Sequence, residues 1–278
     1  MEAGKPSRTA LAAASHRAAH QILDRASIFS DPLALRILGE DAADLQRADE
    51  DDPSRRRMRM FIAVRTRFAE DALAAAIARG LRQMVVLGAG LDTYAYRTAN
   101  QTVRVFEVDH PATQAWKRER LAVAAIDVPA SLTFAPIDFE RETLAEGLAA
   151  AGFDRTAETF FTWLGVVPYL TPQAFWSTIR FTVGQTGGAH VVFDYSNPPE
   201  SLSPEMREEH ERRAARVAEL GEAFLNFFDT SELHAGLRAA GLTEIEDLGP
   251  REIVARYFPG RNPPDRDQGG HILRARKL

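Results

Sequence analysis

Gly88-Ala89-Gly90 follows an unbroken apolar run, Met84-Val85-Val86-Leu87. A strand that ends in Gly-x-Gly lets the backbone turn tightly and admits a ligand close to the main chain. The third glycine of the dinucleotide fingerprint is missing, because Thr93 stands at its offset. That glycine serves close packing over a pyrophosphate. Its absence favours a nucleoside without a phosphate, such as S-adenosylmethionine. Asp109 ends the next strand-like run, where a carboxylate can accept from both ribose hydroxyls. Glu107, two residues earlier, shares that strand face and takes a supporting role. Both equally read as ordinary acids at a strand end. Asp138, in Ala135-Pro136-Ile137-Asp138-Phe139, can accept from an adenine amino group. Phe139 then offers its backbone amide and a flat apolar face. The alternative for Asp138 is an N-cap of the helix that follows, which suits the residue as well.

The elements needed to hold these residues are legible in outline. Helical patterns cover 9–23 and 55–77, with a break at Asp31-Pro32 and Gly80 as a C-cap. Strand-like runs cover 84–87, 103–109, 132–137, 159–164 and 191–195. Helical stretches lie between them at 113–124, 141–151 and 172–183. Strands alternating with helices imply a parallel α/β sheet. The last third carries a charged helix over 204–220, a helix over 231–240 closed by Gly241, and two runs at 242–248 and 271–275. A helix over 251–257 and a Pro/Gly turn stand between those two runs, which predict an antiparallel hairpin at one sheet edge.

Composition narrows the function. The chain has 278 residues, 45% hydrophobic and 26% charged, which excludes global disorder and allows a sizeable core. The net charge of −5 weakens the case for a nucleic-acid binder. Cysteine is absent, so thiolate metal sites and cysteine nucleophiles are excluded. No run reaches the ~20 apolar residues of a membrane span, and no signal-peptide core opens the chain, so a cytoplasmic location is expected. Glu50-Asp51-Asp52, Pro53-Ser54 and Arg55-Arg56-Arg57 with Arg59 read as acids, a turn and bases at a solvated helix start. The other reading is a phosphate-binding cluster. His16 and His20 have the i, i+4 spacing of a zinc pair, but no third ligand is evident nearby, and no metal is expected.

Val86-Leu87-Gly88-Ala89-Gly90-Leu91-Asp92-Thr93, then Ala95-Tyr96-Arg97 and Phe106-Glu107-Val108-Asp109-His110-Pro111, resemble the leucine carboxyl methyltransferase superfamily. The resemblance is strongest to a bacterial branch of S-adenosylmethionine-dependent O-methyltransferases that includes polyketide carboxyl methyltransferases. Thr9-Ala10, Arg17-Ala18, Asp31-Pro32, Arg65-Thr66-Arg67, Lys117, Trp163-Leu164-Gly165-Val166 and Tyr169-Leu170 extend it in order. It implies a class I methyltransferase core of the Rossmann-like α/β class. That core is a seven-stranded sheet, mostly parallel, with a C-terminal antiparallel hairpin. It further implies an N-terminal helical cap over 1–80, and a methyltransferase domain over 81–278 with a helical insertion at about 197–229. By the same resemblance Arg65 pairs with the methionine carboxylate of S-adenosylmethionine, with help from Arg17. Arginine forks match carboxylates bidentately. Without the resemblance both read as solvated helix arginines. Leu164 stands where many relatives carry a glutamate, which removes one side-chain contact from the fourth strand.

The expected site therefore comprises Arg17, Arg65, Gly88, Ala89, Gly90, Glu107, Asp109, Asp138 and Phe139. The expected reaction is O-methylation of a small-molecule carboxylate or acidic hydroxyl. A carboxylate is already ionised at neutral pH and needs no base. His110 and Tyr169 are the weak catalytic candidates. The alternatives are an S-adenosylmethionine-binding protein without turnover and an NAD(P)-dependent oxidoreductase.

Overall fold

Apolar runs alternating with capped helices produce the α/β pattern found in the computed structural model, which describes residues 7–52, 55–98, 102–139, 141–219 and 223–277. Four helices open the chain: α1 (Arg8–Leu23), α2 (Ala34–Leu38), α3 (Ala42–Asp51) and α4 (Arg55–Ala78). Then come β1 (Gln83–Leu87), α5 (Tyr94–Arg97), β2 (Arg104–Asp109), α6 (Pro111–Val123), β3 (Leu132–Pro136) and α7 (Leu144–Ala150). The chain continues through β4 (Thr159–Trp163), α8 (Pro172–Val183), β5 (Ala189–Ser196), α9 (Pro204–Glu219) and α10 (Thr230–Ala240). It ends with β6 (Glu244–Leu248), α11 (Pro250–Tyr257) and β7 (Gly270–Lys277). The seven strands run in the order β3-β2-β1-β4-β5-β7-β6. β7 is antiparallel to both β5 and β6, which is the expected hairpin edge.

The chain divides into two compact units, one of residues 1–74 with 88–153, the other of residues 75–87 with 154–278. In the first unit β2 and β3 pair in parallel, and Asp109 registers with Pro136 at their C-terminal ends. A core of small and branched residues joins α1, α2 and α3: Ala14, Ala18, Ala34, Ile37, Leu38 and Leu45. Leu91, next after the glycines, is buried in that same core. The alanine-rich face of α1 is what lets the helices approach the loop so closely. A Cβ added at Gly90 would stand 3.0 Å from the Cβ of Ala10.

In the second unit β1, β4 and β5 pair in parallel and are buried on both faces. Its core is aromatic. Phe175 of α8 stacks on Trp163 with 5.5 Å between centroids. It also meets Phe193 at 5.5 Å and Phe228 at 4.7 Å.

Some expectations shift at element ends. α3 was not expected; Asp41 starts it by accepting from the amides of Ala43 and Asp44. The acidic run therefore ends one helix as well as preceding α4, which starts at Arg55 as expected. Pro53 and Ser54, read as the turn there, lie outside the described residues. Arg59 is also not solvated: it is buried and pairs with Asp24 at 2.6 Å and with Asp49. α7 begins later than the pattern implied, because Thr143 and Glu146 form a reciprocal capping box. Gly80 does close α4, with φ of +113° and the Leu81 amide donating to the Ala76 carbonyl at 3.2 Å. Among the described residues no helix is long and apolar enough to cross a membrane.

Phe175 is fully buried among four other rings. Phe175→Ala is expected to lower unfolding stability by about 3–5 kcal/mol in a urea titration with unchanged slope. A loss below about 1 kcal/mol would contradict this packing.

Candidate functional site

The Gly88–Gly90 turn is shaped by two left-handed residues, with φ of +64° at Gly88 and +45° at Gly90. Glycine takes these values without the Cβ penalty. Two backbone bonds close the turn: the Ala89 amide donates to the Val108 carbonyl at 3.0 Å, and the Asp92 amide to the Ala89 carbonyl at 2.7 Å. A side chain completes it. The Gly90 amide donates to Oδ2 of Asp109 at 2.6 Å, and the His110 amide donates to Oδ1 at 2.7 Å.

A carboxylate offers about four lone-pair positions. Two are taken by these amides, and the Thr113 hydroxyl also favours the ionised carboxyl; acceptor capacity beyond these can serve a hydroxyl donor of a ligand. Burial raises the Asp109 carboxyl above its usual range, while the Gly90 and His110 amides pull it down. Ile137 donates its amide to the Asp109 carbonyl at 2.9 Å, so the segment leading to Asp138 and Phe139 is tied to the same strand end.

Glu107 has a different setting from Asp109. It is fully buried and pairs with Lys117 at 2.7 Å, also fully buried. Tyr96 donates its hydroxyl to the same oxygen, Oε2, at 3.2 Å. Among the described residues Oε1 has no hydrogen-bond partner. Burial pushes the Glu107 carboxyl up to about 7, against the pull of Lys117.

Asp138 does not cap α7, since Thr143 does. Its carbonyl instead accepts from the Arg141 and Glu142 amides, forming a turn that leaves Phe139 61% exposed. A large aromatic this exposed has a face available for stacking. His110 is the N-cap of α6: its Nδ1 accepts from the Ala112 amide at 3.1 Å.

Arg65 lies buried on α4. Arg17 is buried on α1 and already engaged: Nη2 donates to the Leu91 carbonyl, and Nε lies 2.9 Å from Asp31. The partner of Arg17 was not among the expected site residues. Asp31 is buried and accepts from the Thr93 hydroxyl at 2.6 Å and the Leu33 amide at 3.0 Å. The Asp31-Pro32 pair was visible, but nothing in local sequence showed that it meets Thr93.

His20 is committed to structure: Nε2 accepts from the Ile28 and Phe29 amides, and Nδ1 donates to Asp24 at 3.1 Å. Burial, with Arg55, Arg59 and Arg65 nearby, pushes His16 down to about 3.

The second unit holds Tyr169 and Leu164. Tyr169 packs on Phe224 with 5.4 Å between ring centroids. After Leu164 the chain turns at Gly165, with φ of +74°, and its amide donates to Asp194 at 2.5 Å.

The chain resembles known proteins in sequence and in fold. The sequence profile of the leucine carboxyl methyltransferase family matches residues 10–183, more than half of the chain. The chain belongs to the leucine carboxyl methyltransferase family. A protein of Bacillus subtilis strain 168, named "Putative S-adenosyl-L-methionine-dependent methyltransferase YktD", is 34% identical over 71% of this chain. A Mycobacterium avium protein named "Putative S-adenosyl-L-methionine-dependent methyltransferase" is 33% identical over 84% of this chain. The matched stretch spans 66% of the first relative's length and 74% of the second's. The crystal structure of a DUF574-family protein from Streptomyces avermitilis shares the fold, with a TM-score of 0.58 and 16% identity, covering 96% of this chain and 97% of that one. The resemblance read from the motifs is thus a family membership, within a family whose relatives carry the name of S-adenosylmethionine-dependent methyltransferases. The profile covers the helices of the first unit as well as the glycine turn and Asp109.

Glu107 generates a pH prediction. Its folded value of about 7 exceeds the ordinary 4.5, so the native state holds the proton more tightly. Its contribution to stability is present below about pH 4.5 and is lost as pH rises through 7. Relative to wild type, Glu107→Gln should therefore gain unfolding free energy between pH 4.5 and 7. Parallel wild-type and variant curves across that range would show that Glu107 does not titrate there.

Proposed function

We propose that the chain is an S-adenosylmethionine-dependent O-methyltransferase acting on a small-molecule carboxylate or acidic hydroxyl. The observation that carries this reading is the Asp109 carboxylate. It holds the glycine turn by accepting from the Gly90 and His110 amides at the end of β2, and a carboxylate has acceptor capacity beyond two bonds, which suits ribose hydroxyls. Thr93 supports a nucleoside without a pyrophosphate. Where a dinucleotide site carries its third glycine, this chain has a hydroxyl buried against Asp31.

In this proposal Asp109 binds the ribose and Gly88, Ala89 and Gly90 let it approach the backbone. Asp138 accepts from the adenine amino group, and Phe139 offers its amide and ring face. Arg65 holds the methionine carboxylate. Arg17 serves the same region by fixing the Leu91 carbonyl, and Glu107 with Lys117 supports the strand end behind Asp109. Residues 1–80 act as a helical cap. When bound, S-adenosylmethionine supplies a methyl group on a sulfonium, with the leaving group built in. The protein's task is then alignment and exclusion of water.

A carboxylate acceptor fits the residues best. His110 Nδ1 accepts a hydrogen bond from the Ala112 amide, so its imidazole is engaged in capping α6. An acceptor already ionised at neutral pH needs no such base.

Calorimetry is expected to show binding of S-adenosylmethionine and none of NAD⁺. Asp109→Ala should weaken binding by roughly 1–3 kcal/mol, because two ribose hydroxyls lose their acceptor. Preference for NAD⁺ would overturn the cofactor assignment, and an unchanged Kd in the variant would remove Asp109 from the site.

The acceptor class has its own test. With a carboxylate acceptor kcat/KM should stay flat between about pH 6.5 and 8.5, whereas an unassisted phenol would accelerate roughly tenfold per unit. A steep rise would move the enzyme to hydroxyl methylation. Binding with no turnover of any carboxylate or phenol would favour a protein that keeps the cofactor alone.

A further inference from the structure

We propose that Asp31 is the positioning residue of the glycine turn. Through Arg97, it also couples that turn to the helix that carries Arg65. The inference rests on the S-adenosylmethionine reading for its ligand, but its geometry is independent of any ligand.

Asp31 reaches the turn at two points. It accepts directly from the Thr93 hydroxyl at 2.6 Å. It also orders Arg17, whose Nε lies 2.9 Å away and whose Nη2 donates to the Leu91 carbonyl. Leu91 and Thr93 flank Asp92, directly after Gly90. The turn is thereby fixed on both sides of one residue, next to a glycine held at φ of +45°.

A second guanidinium extends the network. Arg97 of α5 donates through Nε to Thr93 Oγ1 at 2.9 Å and stands 3.5 Å from Asp31. Its Nη1 donates to Glu70 of α4 at 3.3 Å, and Nη2 reaches the other oxygen of the same carboxylate. Glu70 lies five residues after Arg65 on the same helix. One buried carboxylate thus joins α1, the turn, α5 and, through one arginine, α4.

Charge decides the effect of removing it. Asp31 is 1% exposed and faces two guanidinia whose side chains are about one-tenth exposed. Breaking a buried pair at one partner leaves the remaining charges uncompensated. Asn has the shape of Asp but not its charge, so Asp31→Asn opens no cavity. The two arginines must find other acceptors, and the Leu91 and Thr93 anchors move with them. A site whose supporting shell loosens by an ångström loses affinity without losing a single ligand contact.

The experiment uses the full chain, with calorimetry for S-adenosylmethionine and for adenosine, which lacks the methionine carboxylate. Backbone amide shifts of Gly88 and Gly90 are followed by NMR. Asp31→Asn should weaken both ligands by roughly tenfold and displace both amide signals. Arg65→Lys should weaken S-adenosylmethionine and spare adenosine. The double variant should lose less than the sum of the two. Leu148→Ala, in a fully buried position of the same unit, is the control for stability alone. It should lower Tm and leave both affinities unchanged.

If Asp31→Asn does not fold, Thr93→Val removes one link and should still displace the Gly90 amide and weaken both ligands by a smaller factor. Unchanged affinity and unchanged glycine shifts in a folded Asp31 or Thr93 variant would overturn the proposal. Equal weakening by Leu148→Ala would reduce Asp31 to a stability residue and overturn it as well. If the wild type binds no S-adenosylmethionine, the cofactor reading falls, while the glycine shifts still decide the role of Asp31.

Discussion

A backbone amide bound to a carboxylate, Gly90 on Asp109, is the constraint from which the rest of the first unit follows. The bond needs Gly90 in a left-handed conformation and needs β2 to end where Asp109 stands beside the turn. His110 then donates to the other oxygen and caps α6 with its ring, so one carboxylate sets the turn, the strand end and the start of a helix. A charge-assisted bond of this kind is stronger than a neutral one and more directional. It also fixes which lone pairs of Asp109 remain available.

The N-terminal helices are part of this constraint. Leu91 is buried among α1, α2 and α3, and a Cβ at Gly90 would crowd Ala10 at 3.0 Å. Apolar packing brings the helices to the turn, and the Arg17–Asp31–Thr93 links set its register. The mutual attraction of these buried charges offsets their desolvation cost only if every partner is present. The same logic governs Glu107 and Lys117 behind the strand end, where one carboxylate oxygen has no partner among the described residues and burial pushes the carboxyl up to about 7.

Much of this was legible in the residues. Short apolar runs bounded by glycine and acids identify β1, β2 and β4, because strands buried on both faces cannot alternate. Gly88, Gly90 and Asp109 stand out since few roles demand those types at that spacing. α3 was missed because its polar sequence hides the helix, whose only clear signal is the Asp41 cap. Arg59 read as solvated because its partners Asp24 and Asp49 are 35 and 10 residues away in sequence. Asp31 was missed for the same reason: its contact with Thr93 spans 62 residues. Long-range ion pairs have no local periodicity, so sequence pattern cannot announce them. Asp138 was ambiguous between cap and ligand contact, and Thr143 settles the capping half of that question.

The measurement that bears most directly on this account is a crystal structure of the chain with S-adenosylhomocysteine. The ribose hydroxyls should lie within hydrogen-bond distance of the two Asp109 oxygens, with the Gly90 and His110 amides still donating to the same carboxylate. The nucleoside bound away from Asp109, or an Asp109 carboxylate that must release Gly90 to receive it, would contradict the account.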